Sequence, residues 1–106
     1  AIREAQRQQL IEETLAEAWR PHFASARYLL DSGGDLATAL GYVDTSISIK
    51  ATWWNNWVRA QILHKQGKNA EAVAAARRAA ALGKGDTVYE TNFQEEIAKA
   101  QADWKN

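Results

Sequence analysis

The chain has 106 residues, 46% hydrophobic and 25% charged, with 13 Lys and Arg balanced by 13 Asp and Glu. That size suits one domain and excludes a multidomain enzyme, while the absence of cysteine excludes a disulfide framework, a thiolate zinc site and a cysteine nucleophile. One proline and six glycines leave long stretches for regular structure, as in a folded domain rather than a solvated tail.

Residues 2–19 hold no Gly or Pro, and Ile11, Leu15, Ala18 and Trp19 fall at helical spacing, which predicts an amphipathic helix. Pro21 suits the first turn of a second helix, where the amide is free, and Phe23, Ala26, Tyr28, Leu29 and Leu30 follow before Gly33-Gly34 end it. Asp35 has the chemistry of an N-cap for a third helix with Leu36, Ala39, Leu40, Val43, Ile47 and Ile49 as its apolar set. The alternation in residues 46–49 would also suit a strand, but no second strand pattern exists to pair with it, so helix is expected.

Thr52 is the expected N-cap of a fourth helix over 53–66, stopped by Gly67. Asn69 opens a fifth over 70–82, nearly all alanine on its inner face and stopped by Gly83-Lys84-Gly85. Asp86 or Thr87 caps a sixth, in which Tyr89, Phe93, Ile97, Ala100 and Trp104 form one stripe. The sequence thus predicts an all-α domain of about six antiparallel helices spanning residues 1–106.

The balanced charge hides an uneven distribution. Residues 1–49 hold four basic and seven acidic side chains, 50–85 hold seven and one, and 86–106 hold two and five. The central basic segment is either a solvated face balanced by acidic neighbours or a patch for an acidic peptide, a phosphate or nucleic acid. No run approaches the roughly 18 apolar residues of a membrane span, and Arg3, Glu4 and Arg7 stand where a signal peptide would be apolar. With no methionine, even at position 1, the chain reads as a piece of a longer protein, and its compartment is not legible.

Self-comparison finds a repeat. Residues 34–40 align with 67–73 at an offset of 33, and Ala26, Leu29 and Gly33 align with Ala60, Leu63 and Gly67 at 34. The unit resembles the tetratricopeptide repeat, with family positions at Ala26, Leu30, Gly34, Ala39, Ser46 and Ile49 in one copy and Ala60, Leu63, Gly67, Ala72, Ala79 and Leu82 in the other. The resemblance covers about residues 20–85 as repeats 20–51 and 52–85. It implies a right-handed superhelical stack of hairpins capped by helices 2–19 and 86–104. Asn56 and Arg59, where the family has large apolar residues, and Ala51, where it often has proline, are departures. More weakly, residues 19–84 resemble the C-terminal helical segment of exported bacterial proteins with a β-rich domain upstream, which implies export or a periplasmic place.

No constellation supports catalysis. His22 and His64 lack a metal-ligating neighbour at helical spacing, and no Gly-x-Ser-x-Gly elbow occurs. The pairs Glu12-Glu13 and Glu95-Glu96 point about 100° apart on helices, and Gly83-Lys84-Gly85 is too short for a phosphate loop. No enzyme activity, metal or cofactor is expected. The family register would place Trp54, Trp57, Gln61 and His64 along a concave surface, with Arg20, Phe23, Arg27 and Leu30 as the matching line. Arg27, Lys65 and Lys68 would attract an acidic segment. The expected partner is a protein or peptide, including another domain of the same chain. The alternatives are that the tryptophans are core, that the basic segment binds single-stranded nucleic acid, or that the domain serves an enzyme whose active site lies elsewhere. Asn55 and Asn56 are expected to face water.

Overall fold

A computed structural model describes residues 17–105. Among them are five helices and no strand: α1 (Trp19–Ser32), α2 (Leu36–Ile49), α3 (Trp53–Lys65), α4 (Asn69–Gly83) and α5 (Gln94–Asp103), with a π-helical turn, Tyr89–Phe93, leading into α5. The expected first helix lies outside the described residues up to position 16. Its last residue, Trp19, instead begins α1, so the helix containing Pro21 starts two residues earlier than expected and Pro21 occupies its first turn.

Two helical hairpins, α1–α2 and α3–α4, share several features at matched positions. Gly33 and Gly67 end the first helix of each with φ of 74° and 82°, a left-handed turn that glycine adopts without a Cβ penalty. At the equivalent positions Ala26 and Ala60, Ala39 and Ala72, and Ser46 and Ala79 are all fully buried. Ile49 and Leu82 are likewise matched, at 40% and 43% exposure. Small residues at these contacts let helix axes approach near the short end of the usual 8–10 Å range, roughly, and α4 accordingly buries Ala72, Ala75, Ala76 and Ala79. Two clusters result: Ala26, Leu30, Ala39, Val43, Val58 and Ile62 join α1, α2 and α3, while α3, α4 and α5 meet around Trp53, Trp57, Leu63, Tyr89 and Ile97. The central helix α3 is buried on most of its circumference.

Caps set the helix starts. Asp35 accepts from the Thr38 amide at 3.1 Å and from the Thr38 hydroxyl, and these bonds, the side-chain one foremost, hold its carboxyl below the usual carboxylate range. Thr52 and Asn55 form a reciprocal capping box, with the Asn55 amide donating to Thr52 Oγ1 at 3.1 Å and the Thr52 amide to Asn55 Oδ1 at 2.9 Å. Asp86 accepts from the Tyr89 amide at 3.0 Å. Asn69 does not cap α4: it lies inside the helix, the N-cap position is Lys68, and no side chain bonds the first-turn amides.

The structure reverses the expectation that Asn55 and Asn56 face water: they are 0% and 1% exposed. Each finds the partners a buried amide needs. Asn55 Nδ2 donates to the Lys50 carbonyl at 2.8 Å and to Ser46 Oγ at 3.1 Å, and Asn56 Nδ2 donates to the Thr52 carbonyl at 2.9 Å. Ser46 Oγ in turn donates to the Trp19 carbonyl at 2.8 Å. One polar chain thus ties the starts of α1 and α3 to the end of α2. Residues 46–49 are helical, as expected, and Ser46 fastens this end of α2 to the starts of two other helices.

Candidate functional face and basic cleft

The first helices of the two hairpins share an aromatic seam with the residues that flank α5, those of the π-helical turn and Trp104. Trp19 meets Phe23 edge-on at 5.6 Å, Phe23 meets Trp54 at 6.3 Å, and Trp54 stacks on Trp53 at 4.1 Å. Phe93 then lies 5.0 Å from Trp53 and 5.6 Å from Trp54, and Tyr89 lies 5.6 Å from Trp53. Burial, and less so the Glu90 charge, pushes the Tyr89 phenol above its ordinary value. Further along α3, Trp104 stacks almost parallel over two rings at once, Trp57 at 5.7 Å and His64 at 4.3 Å. These offset and edge contacts are each worth about 0.5–1.5 kcal/mol beyond area burial.

This seam decides where the sequence-predicted contact residues sit. Trp57 is 4% exposed and covered by Trp104, so it is a core residue and not an open contact surface. Trp54 and Phe23 are half-buried against one another, and Gln61 is half-buried beside Trp57 and Trp104. His64 is exposed at its edge, with Nδ1 2.9 Å from Asn69 Oδ1. Arg27 is exposed and pairs with Asp31 on its own helix at 3.4 Å. Lys65 Nζ donates to the Leu30 carbonyl at 3.4 Å, satisfying a group left open at the C-terminus of α1. The expected contact residues thus sit on α1, on α3 and just past the end of α3, with Trp57 covered by Trp104 and Trp54 half-buried.

Lys68 stands apart from that line. It lies in an open cleft of about 760 Å³ between the start of α4 and the C-terminal turn, with Glu71, Val73, Arg77, Trp104 and Lys105. A smaller cleft of about 270 Å³ on the other flank of Trp104 holds Gln61, Glu96, Lys99 and Asp103. Arg77, Trp104 and Lys105 had no place in the sequence-level site. No helical spacing linked Arg77 to Lys68, since nine positions put them about half a turn out of phase, and Trp104 read as part of the apolar stripe. Arg59, a departure from the family pattern, is explained by its 2.8 Å pair with Asp44 of α2.

Among the described residues no three His, Asp or Glu side chains are grouped to hold a metal ion, and no helix is long and apolar enough to cross a membrane. Comparison with known proteins gives no matching family model, no matching curated protein and no matching solved structure.

Proposed function

We propose that the chain is a non-catalytic protein-docking module built as a tetratricopeptide-like stack, with α1–α2 and α3–α4 as the two repeats and α5 as the C-terminal cap. One observation carries the reading: the two hairpins carry the same buried small residues and the same left-handed glycine about 34 positions apart. The contacts of α3 with α1 and with the π-helical turn that leads into α5 support it, because first helices side by side form the surface that this family offers to a peptide or a helix. The step from stack to docking is an analogy with that family. Within it, Phe23, Arg27, Trp54, Gln61, His64 and Lys65 supply the accessible face, and Trp57 supports it from below.

The test is selection of a random peptide library on the chain, followed by mapping of the selected peptides with amide and indole chemical shifts. Selected peptides that perturb Trp54 and His64 and lose binding in Gln61→Ala support the reading. A library that yields no binder, or single-stranded oligonucleotides that bind with a steep salt dependence where peptides do not, overturns it.

A further inference from the structure

We infer that the face of α3 and α4 beneath α5 is a receptor for a partner helix, that α5 keeps this receptor covered, and that the partner carries the same apolar stripe as α5. The inference rests on the reading of the chain as a docking module and names the partner chemistry of a face that the closed structure hides.

Attachment is the first argument. Among the described residues no hydrogen bond or ion pair joins α5 or the π-helical turn to α3 or α4. The other packed pairs each carry such a tie. Ser46 bonds the Trp19 carbonyl, Asn55 bonds Ser46, Arg59 pairs with Asp44, Lys65 bonds the Leu30 carbonyl, and His64 meets Asn69. What holds α5 is apolar and aromatic: Ile97 and Ala100 are buried in one cluster with the α4 alanines, Phe93 packs on Trp53 and Trp54, and Trp104 stacks on Trp57 and His64. Apolar contact is non-directional, so a second helix with the same stripe can take the place of α5 and leave no polar bond unmade.

Closure also carries a cost. The Trp53 indole N–H is buried against Tyr89 and Phe93 with no acceptor among the described residues, and a buried donor without an acceptor is unfavourable. Lifting α5 together with its π-helical turn returns this group to water. The link to α4, residues 84–88, is exposed throughout and includes Gly85 at a φ of 87°, so a few loop residues can absorb the movement.

The stripe defines the partner. Phe93, Ile97, Ala100 and Trp104 stand at i, i+4, i+7 and i+11, which at 100° per residue fall within an arc of about 60°. The partner is therefore an amphipathic helix with aromatic residues eleven positions apart and an aliphatic and a small residue between them.

The test adds a fluorescein-labelled peptide of residues 86–106 to the full chain and to its Trp104→Ala variant, and follows anisotropy. In the parent the receptor is occupied from within, which lowers the apparent affinity by the fraction open, so the loosened variant should bind about tenfold more tightly or better. The peptide carrying both Phe93→Ala and Trp104→Ala should bind neither chain, a control that a misfolded, sticky variant would fail. Hydrogen exchange of the parent needs no variant: amides of residues 98–103 should exchange about tenfold faster or more than those of 57–63, through an opening that leaves α3 folded. Equal protection of the two helices, equal or absent binding of the peptide to parent and variant, or equal binding of the doubly substituted peptide each overturns the inference. If it fails while library-selected peptides still map to Trp54 and His64, the docking reading stands without it; if no peptide binds at either surface, both fall.

Discussion

The two hairpins share a backbone template and close their helices by opposite means. In α1–α2 the first helix starts at Ala18 with no side-chain cap and has Pro21 in its first turn, and the second helix is capped by Asp35. In α3–α4 the first helix carries the Thr52–Asn55 capping box, while the second starts at Lys68 with no side-chain cap. Asn55 stands 34 positions after Pro21: proline leaves no amide at this position of the first turn, whereas the Asn55 amide donates to Thr52 Oγ1 and its Oδ1 accepts from the Thr52 amide. The comparison teaches that two hairpins can share buried positions while each satisfies its helix ends locally. The uncapped start of α4 borders the basic cleft.

The largest break in this comparison should come from Asn55→Ala. It removes the capping box and leaves Ser46 and the Lys50 carbonyl short of a partner, so a loss of about 3 kcal/mol is expected by chemical denaturation. His22, the residue 34 positions before Asn56, is half-buried, and His22→Ala should cost well under half as much. Next is Gly83→Ala. A Cβ there would lie 2.4 Å from the Tyr89 ring, and forcing the ring aside should cost about 2 kcal/mol, although alanine is the better helix former. The equivalent glycines provide a sharper comparison: Gly33→Ala and Gly67→Ala each place a Cβ in open space but at positive φ. Both should lose about 1 kcal/mol, and unequal losses would argue against equivalent hairpins.

Smaller effects follow the caps. Asp35→Ala should lower Tm by a few degrees at neutral pH. Because the folded Asp35 carboxyl titrates below its unfolded value, its contribution is present above the unfolded pKa and fades as pH falls through the folded one, so the variant and the parent should converge in acid. Lys68→Asp installs the missing cap on α4 and should raise stability by about 0.5 kcal/mol while removing a cleft cation.

Helix ends were the legible part of this fold, because Gly33, Gly67, Asp35 and Thr52 act through bonds to residues three or four positions away. The buried alanines of α4 were legible for the same local reason, through periodicity. Asn55 was misread because its partners include Ser46 and Lys50, and Asn56 because no local pattern distinguishes a buried amide satisfied by Thr52 and Asn55 from a solvated one. Trp57 was misplaced because the residue that covers it, Trp104, arrives from 47 positions away. The cleft escaped the sequence reading because its walls come from α4 and the chain's last described residues, which only folding brings together.

The π-helical turn over Tyr89–Phe93 sets the phase of everything after it. An α-helix advances about 100° per residue, so deleting one residue from that turn would restore regular winding upstream and swing Ile97, Ala100 and Trp104 by about that angle. Trp104 would then leave Trp57 and His64, uncovering the indole of Trp57 and dismantling one wall of the basic cleft in the same motion. A single surplus residue, some ten positions upstream, thus acts as the clutch that engages the C-terminal ring with the rest of the molecule.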